Sequence, residues 1–197
     1  MMTRNRLISL AFLMILSGCV VPTGPVEVTR FNRAADGVAY GTGTFAVAAS
    51  GDGDAVQGLA TSPYLAAVAR EMQRVGYTEK ENGSEISAEV RVSVTKIERA
   101  QRSPVSVGVG GSTGSFGSGI GLGVGINLGS GSSSQINTIL AVRLVRRSDN
   151  LVVWEGNASQ TAKAGSPAAQ PGIAASKLAE ALFKGFPGVS GESIRVP

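Results

Sequence analysis

The 197-residue chain contains no histidine and a single cysteine, Cys19. Without histidine there is no Ser-His-Asp or Cys-His catalytic arrangement and no histidine-based metal site. One cysteine allows neither a CxxC redox pair nor an internal disulfide. No GxGxxG opens a helix and no GK[ST] is present, so a nucleotide-binding loop fails on spacing. No spacing reveals a carboxylate pair or a Ser-Lys dyad either. Asp52 and Asp54 sit in a glycine turn and Asp36 in a similar setting, where such carboxylates serve the turn and not a metal. These absences lead us to expect no enzyme, no cofactor and no metal. Aromatic residues are also scarce, at 5%, whereas glycine is abundant at 27 residues. That excess is concentrated in one segment.

The first residues read as an address. Arg4 and Arg6 precede an apolar run from Leu7 to Leu16, too short to span a bilayer, which takes about 20 apolar residues. The run ends in Leu16-Ser17-Gly18-Cys19, which resembles the lipobox of bacterial lipoproteins. Leu16, Ser17 and Gly18 would be read by the signal peptidase, and the Cys19 thiol would carry the lipid. A lone free thiol would be a liability in an oxidising compartment. Lipid attachment removes that liability, and several acyl chains anchor a protein stably. The resemblance further implies the periplasmic face of the outer membrane, because Val20 stands where an inner-membrane retention Asp would be. Loss of the leader takes the basic count from 18 to 16 against 14 acidic residues, a formal +2. The pI of 9.6 therefore overstates the basicity, and no nucleic-acid partner is expected.

The rest divides by pattern. Residues 19–25 form the anchor and tether, 26–187 one domain, and 188–197 a loosely held tail. Val26 to Phe31 alternates as a half-buried strand, and Gly43 to Ala48 as a second. Ser62 as cap and Pro63 at the first position start a helix that Gly76 stops, with Leu65, Val68, Met72 and Val75 on one face. Arg70, Glu71 and Arg74 are expected in solvent. Tyr77 to Glu79 can start a short strand. Ile86 to Val94 alternates strictly. Leu140 to Leu144 and Leu151 to Ala158 flank the Ser148-Asp149-Asn150 turn as a hairpin, with Trp154 alternating inward with Val152. A helix over about 171–184 buries Ile173, Leu178, Ala181, Leu182 and Phe183, and Gly185 stops it. The order predicts an α+β fold: an antiparallel sheet with two helices on one face, a two-layer sandwich, carrying a glycine-rich hairpin insert.

That insert spans 103–134, and no charged residue occurs between Arg102 and Arg143. Val105, Val107 and Val109, then Ile120, Leu122, Val124, Ile126 and Leu128, alternate with Gly, Ser and Asn. Residues 111–119 would form the turn of a hairpin extending the flanking strands. Two readings remain open. The segment is a poorly ordered insert, since Gly is costly to order, or it is a docking surface, since a glycine face admits close approach of a backbone or a membrane. Lys96, Arg99 and Arg102 with Arg143, Arg146 and Arg147 would form a basic patch if their strands pair. Arg99, Arg102, Arg143 and Arg146 are then candidates for anion binding.

Several stretches carry a family resemblance: the strand ending at Phe31, Val68 to Tyr77, the strand at 88–94, the glycine-rich insert, Leu151 to Ala158, and the close at Phe186-Pro187. Over about 26–187 the chain resembles a family of Gram-negative envelope lipoproteins, domain of unknown function 4136. The resemblance implies an α+β lipoprotein with no established activity and no assigned catalytic residues. Members often carry a Trp near position 45, where this chain has Phe45-Ala46-Val47. The function expected is that of a non-enzymatic, membrane-anchored periplasmic module in envelope maintenance, docking another envelope protein through residues 104–129. The alternative is a binder of an anionic envelope glycan or lipid headgroup through the basic sheet face.

Overall fold

The computed structural model describes residues 24–50, 55–98, 105–112, 119–126 and 134–197. The leader, Leu16 to Cys19, Asp52, Asp54, Arg99, Arg102 and Leu128 lie outside them. Strand β1 (Val26–Asn32) is followed by β2 (Thr44–Ala49), helix α1 (Ala55–Arg74), β3 (Thr78–Glu79) and β4 (Ile86–Ile97). Then come β5 (Val105–Ser112), β6 (Gly119–Ile126), β7 (Gln135–Arg146), β8 (Leu151–Lys163), helix α2 (Pro171–Phe183) and β9 (Ser193–Val196). Seven strands form one sheet in the order β3-β2-β4-β7-β8-β1-β9, while β5 and β6 pair as a separate two-stranded sheet.

The α+β layering expected from the sequence is present, with one difference in the sheet. The pairs among β4, β7, β8, β1 and β9 are antiparallel, but β2 runs parallel to both β3 and β4. The α1 crossover between β2 and β4 explains this, since a strand that returns through a helix re-enters the sheet in the same direction.

The helices lie over one sheet face. Val26 and Val28 of β1, Ala88 and Val90 of β4, and Leu140, Val142 and Leu144 of β7 are buried there against Val68, Met72, Leu178 and Leu182. Each fully buried leucine stabilises by about 1.5–3 kcal/mol, against about 0–1 kcal/mol for an exposed ion pair. The apolar layer therefore holds the fold, and the surface ion pairs decorate it.

Four local expectations are corrected. Helix α1 begins at Ala55, so Pro63 lies inside it and Ser62 is not its cap. Proline there removes the hydrogen bond to the carbonyl of residue 59 and crowds that carbonyl, yet the helix runs on through it. Glu71 is 7% exposed, where solvent was expected; its carboxylate accepts a 2.7 Å bond from Arg74 Nε. On α2, Ile173 is 43% exposed, and Ala174, Ala175 and Ala179 take the buried face with Leu178. The supposed tail is tied down: β9 pairs with β1, Val196 opposite Val26 and Ser193 opposite Thr29.

A bulge reshapes the Trp154 corner. Leu144 pairs with Trp154 and Val145 with Val152, leaving Val153 as an extra residue in β8. One additional residue shifts the alternation, so Val153 and Trp154 are both buried while Val152 is only half-buried. The Val153 carbonyl accepts bonds from Tyr40 Oη (2.6 Å) and from the Arg33 amide (3.2 Å). Trp154 stacks on Phe183 at 5.4 Å between centroids and lies 5.3 Å from Phe186. Its indole N–H donates to the Pro187 carbonyl at 3.0 Å.

Candidate functional site

The glycine-rich strands provide the first candidate. Their register sets Val105 opposite Ile126, Val107 opposite Val124 and Val109 opposite Leu122. Ser106, Gly108 and Gly110 fall opposite Gly125, Gly123 and Gly121. Directly opposed residues in an antiparallel ladder share a face. The pairing thus collects the aliphatic positions on one face and the glycine and serine positions on the other, as the alternation predicted. Ile120 falls on the same face as Leu122 and Val124 by alternation, although its partner there is Gly111. Residues 113–118 join the strands. The ribbon is not an extension of the main sheet: among the described residues, β5 and β6 pair only with each other.

The basic face gives a different result. Strands β4 and β7 do pair, as that reading required, but the register sets Arg143 between Glu89 on β4 and Glu155 on β8. Arg143 Nη1 lies 3.4 Å from Glu89 Oε2. Arg146 is held by the Asp149 carboxylate at 2.9 Å, a contact that raises the guanidinium pKa and lowers that of the carboxyl. Lys96 Nζ sits 2.7 Å from Glu98. Each of these cations already has a carboxylate beside it, which lowers the net field available to an external anion. By alternation Arg143 shares its face with Arg91, Ser93, Thr95, Asn137, Ser159 and Thr161, while Lys96 and Arg146 lie on the other face of their strands.

Asp36, expected in a turn, is the last residue of a short 3-10 segment and pairs with Arg33 at 3.0 Å. No group of three or more metal-ligating side chains occurs among the described residues.

Two features were not anticipated. Arg30, third of the inward positions of β1, is 4% exposed and donates from Nη1 to the Lys184 carbonyl at 2.6 Å. It thereby satisfies a carbonyl at the C-terminal end of α2, where a positive charge is favoured. Burial pushes its pKa down, and the nearby Glu192 partly offsets that. Alternation points residue 30 inward, but nothing local in the sequence announces the helix end it meets. The second feature is a cleft of about 580 Å³ between α2 and β9, lined by Ile173, Ser176, Lys177, Lys184 and Val196 among others. At one side Lys177 Nζ donates to the Gly24 carbonyl at 2.8 Å, fixing where the chain enters β1.

Comparison with known proteins gives one partial relative and distant structural likenesses. An uncharacterised protein of Zymomonas mobilis is 42% identical over 64 residues, 32% of this chain and 24% of that protein. The matched stretch thus spans about a quarter of that relative. A PDZ domain protein from Parabacteroides distasonis superposes with a TM-score of 0.48 at 12% identity, over 97% of this chain and 42% of the other. The PelC dodecamer from Paraburkholderia phytofirmans gives a TM-score of 0.41 at 12% identity, over 80% and 94% of the two chains. A family model covers most of the domain just described: the chain belongs to the DUF4136 family, a domain of unknown function, matched over residues 27–188.

Proposed function

We propose that this protein is a non-enzymatic, lipid-anchored domain of the bacterial envelope, held through Cys19 on the periplasmic face of the outer membrane. Its glycine-rich ribbon is the element with which it docks on other envelope components in maintaining that envelope. The ladder register carries this reading, because it gathers branched aliphatic positions on one face of a ribbon that pairs with no other described strand. An isolated two-stranded ribbon is marginal in water. A surface that covers its aliphatic face would supply the missing burial. The core domain, by contrast, buries one face of its sheet under its own two helices.

Two experiments test the proposal. Mass spectrometry of the mature protein should find acyl chains on Cys19, and Cys19→Ser should accumulate as an unlipidated, uncleaved precursor. Normal processing of that variant would remove the anchor from the reading. Crosslinking in intact cells should give contacts for the full chain that disappear when residues 104–129 are deleted. Equal contacts for both would reduce the ribbon to a spacer.

A further inference from the structure

Two segments far apart in sequence leave the domain at the same end of the sheet. Gly24 begins the described chain, beside the Thr161 carbonyl and held by Lys177. Thr161 pairs with Asn137, and Asn137 with Thr95. Two residues further, Ile97 pairs with Gln135, and the glycine-rich ribbon is strung between those two residues. Strands β4, β7, β8 and β1 are successive neighbours. At about 4.8 Å per strand, the roots of the ribbon stand about 10–15 Å from the start of β1. Five residues lead from Gly24 back to Cys19, and such a length reaches at most about 18 Å. Each ribbon strand has eight residues, a length of about 27 Å. A bilayer holding acyl chains on Cys19 is therefore nearer to this end of the sheet than the ribbon is long.

We infer that β5 and β6 lie on the bilayer that carries the Cys19 acyl chains, with the aliphatic ladder toward the lipid and the glycine ladder toward water. The inference rests on the lipid-anchor reading and names the phospholipid surface as what the ribbon docks on. The chemistry of the region agrees. The stretch from 103 to 142 has no charged residue, and Arg99 and Arg102 precede it. Lys163 is exposed at the root, beside the Lys96–Glu98 pair. Basic residues flanking an uncharged apolar stretch suit anionic headgroups. Val94 and Ile97, on opposite faces at the same end of β4, are 59% and 41% exposed, so each face carries an exposed aliphatic beside the root. The ribbon does not cross the membrane, because a two-stranded sheet has open backbone edges that hydrocarbon cannot satisfy. In the interfacial zone, headgroups and water satisfy those edges while the aliphatic face is buried, as for other amphipathic elements.

The full lipidated protein, reconstituted into vesicles of phosphatidylethanolamine and phosphatidylglycerol with brominated acyl chains, tests this. Trp154 is the only native tryptophan and is 1% exposed, so its emission is an internal control for folding. A tryptophan introduced by Leu122→Trp should emit blue-shifted light that bromination quenches. One introduced by Ser106→Trp, on the other ladder, should remain water-like and largely unquenched. Water-like, unquenched emission from both variants, with acylated Cys19 confirmed and the protein floating with the vesicles, would overturn the inference and leave the anchor intact. Absence of acyl chains on Cys19 would overturn the anchor reading and the inference with it. A ribbon unquenched in vesicles but crosslinked to an envelope protein in cells would make that protein the docking surface instead.

Discussion

The two ends of the sheet are built from different materials. At one end Tyr40, Tyr77, Trp154, Phe183 and Phe186 form a continuous aromatic cluster, with contacting centroids 5.3–6.2 Å apart. The indole N–H and the Tyr40 hydroxyl both donate to backbone carbonyls. At the other end the chain runs into a ribbon of glycine, serine and small aliphatics that pairs only with itself among the described residues. A chain with so few aromatics has concentrated them where the C-terminal segment must be held against the sheet. The aromatic end is buried within the domain. The glycine end pairs only with itself among the described residues, and the proposed docking role rests on that contrast.

The largest effect should come from Trp154→Ala, which removes the centre of the aromatic cluster. A loss of about 3–5 kcal/mol is expected, read as a lowered denaturant midpoint. Gly156→Ala attacks the same end more gently. A Cβ there would lie 2.5 Å from Trp154 Cη2 and 2.8 Å from Leu182 Cδ1, so overpacking should cost about 1–3 kcal/mol. An unchanged midpoint would show that this corner has more slack than the packing implies.

A pH titration sharpens the comparison further. All three tyrosines, Tyr40, Tyr64 and Tyr77, have pKa values pushed up, chiefly by burial. A folded-state value above the ordinary one of about 10 means their contribution is complete below that pH. It is lost as pH rises through the folded-state values. Phenolate absorbance should therefore rise together with unfolding, and no tyrosine of the native protein should titrate normally. An ordinary titration in the folded protein would contradict the burial. The smallest change in stability should follow deletion of 104–129, within about 0.5 kcal/mol of the full chain. A large drop in melting temperature would show that the ribbon packs on the domain, and would erase the contrast between the two ends.

Much of the architecture was legible in the local pattern. Strict alternation located β1, β4, β7 and the start of β8, because a strand with one face on a core repeats every two residues. The Gly76 stop was readable for a similar reason: its φ is +110°, where a side chain would be strained. The misread features depend on partners distant in sequence. Ile173 fits a helical apolar stripe, but the small alanines of α2 fit closer to the sheet, and that preference depends on what lies opposite. Segment 188–197 looked like a tail because its four-residue strand has little pattern of its own; only the edge of β1 makes it β9. The candidate site divides the same way. The ribbon's ladders could be read from alternation, whereas the value of the basic patch depended on register, which set Glu89 and Glu155 on either side of Arg143.

By itself the sequence determined the composition-level exclusions, the period of each main strand, and the charge-free glycine segment with its alternating aliphatics. All of these are properties of neighbouring residues along the chain. Only the tertiary structure decided that β2 lies parallel to β4, that Arg30 closes the end of α2, and that the tether and the ribbon leave from one end of the sheet. Each of these is a meeting of residues separated by tens of positions or more. Such meetings are selected by the burial and hydrogen bonding of the whole domain, which no local period encodes.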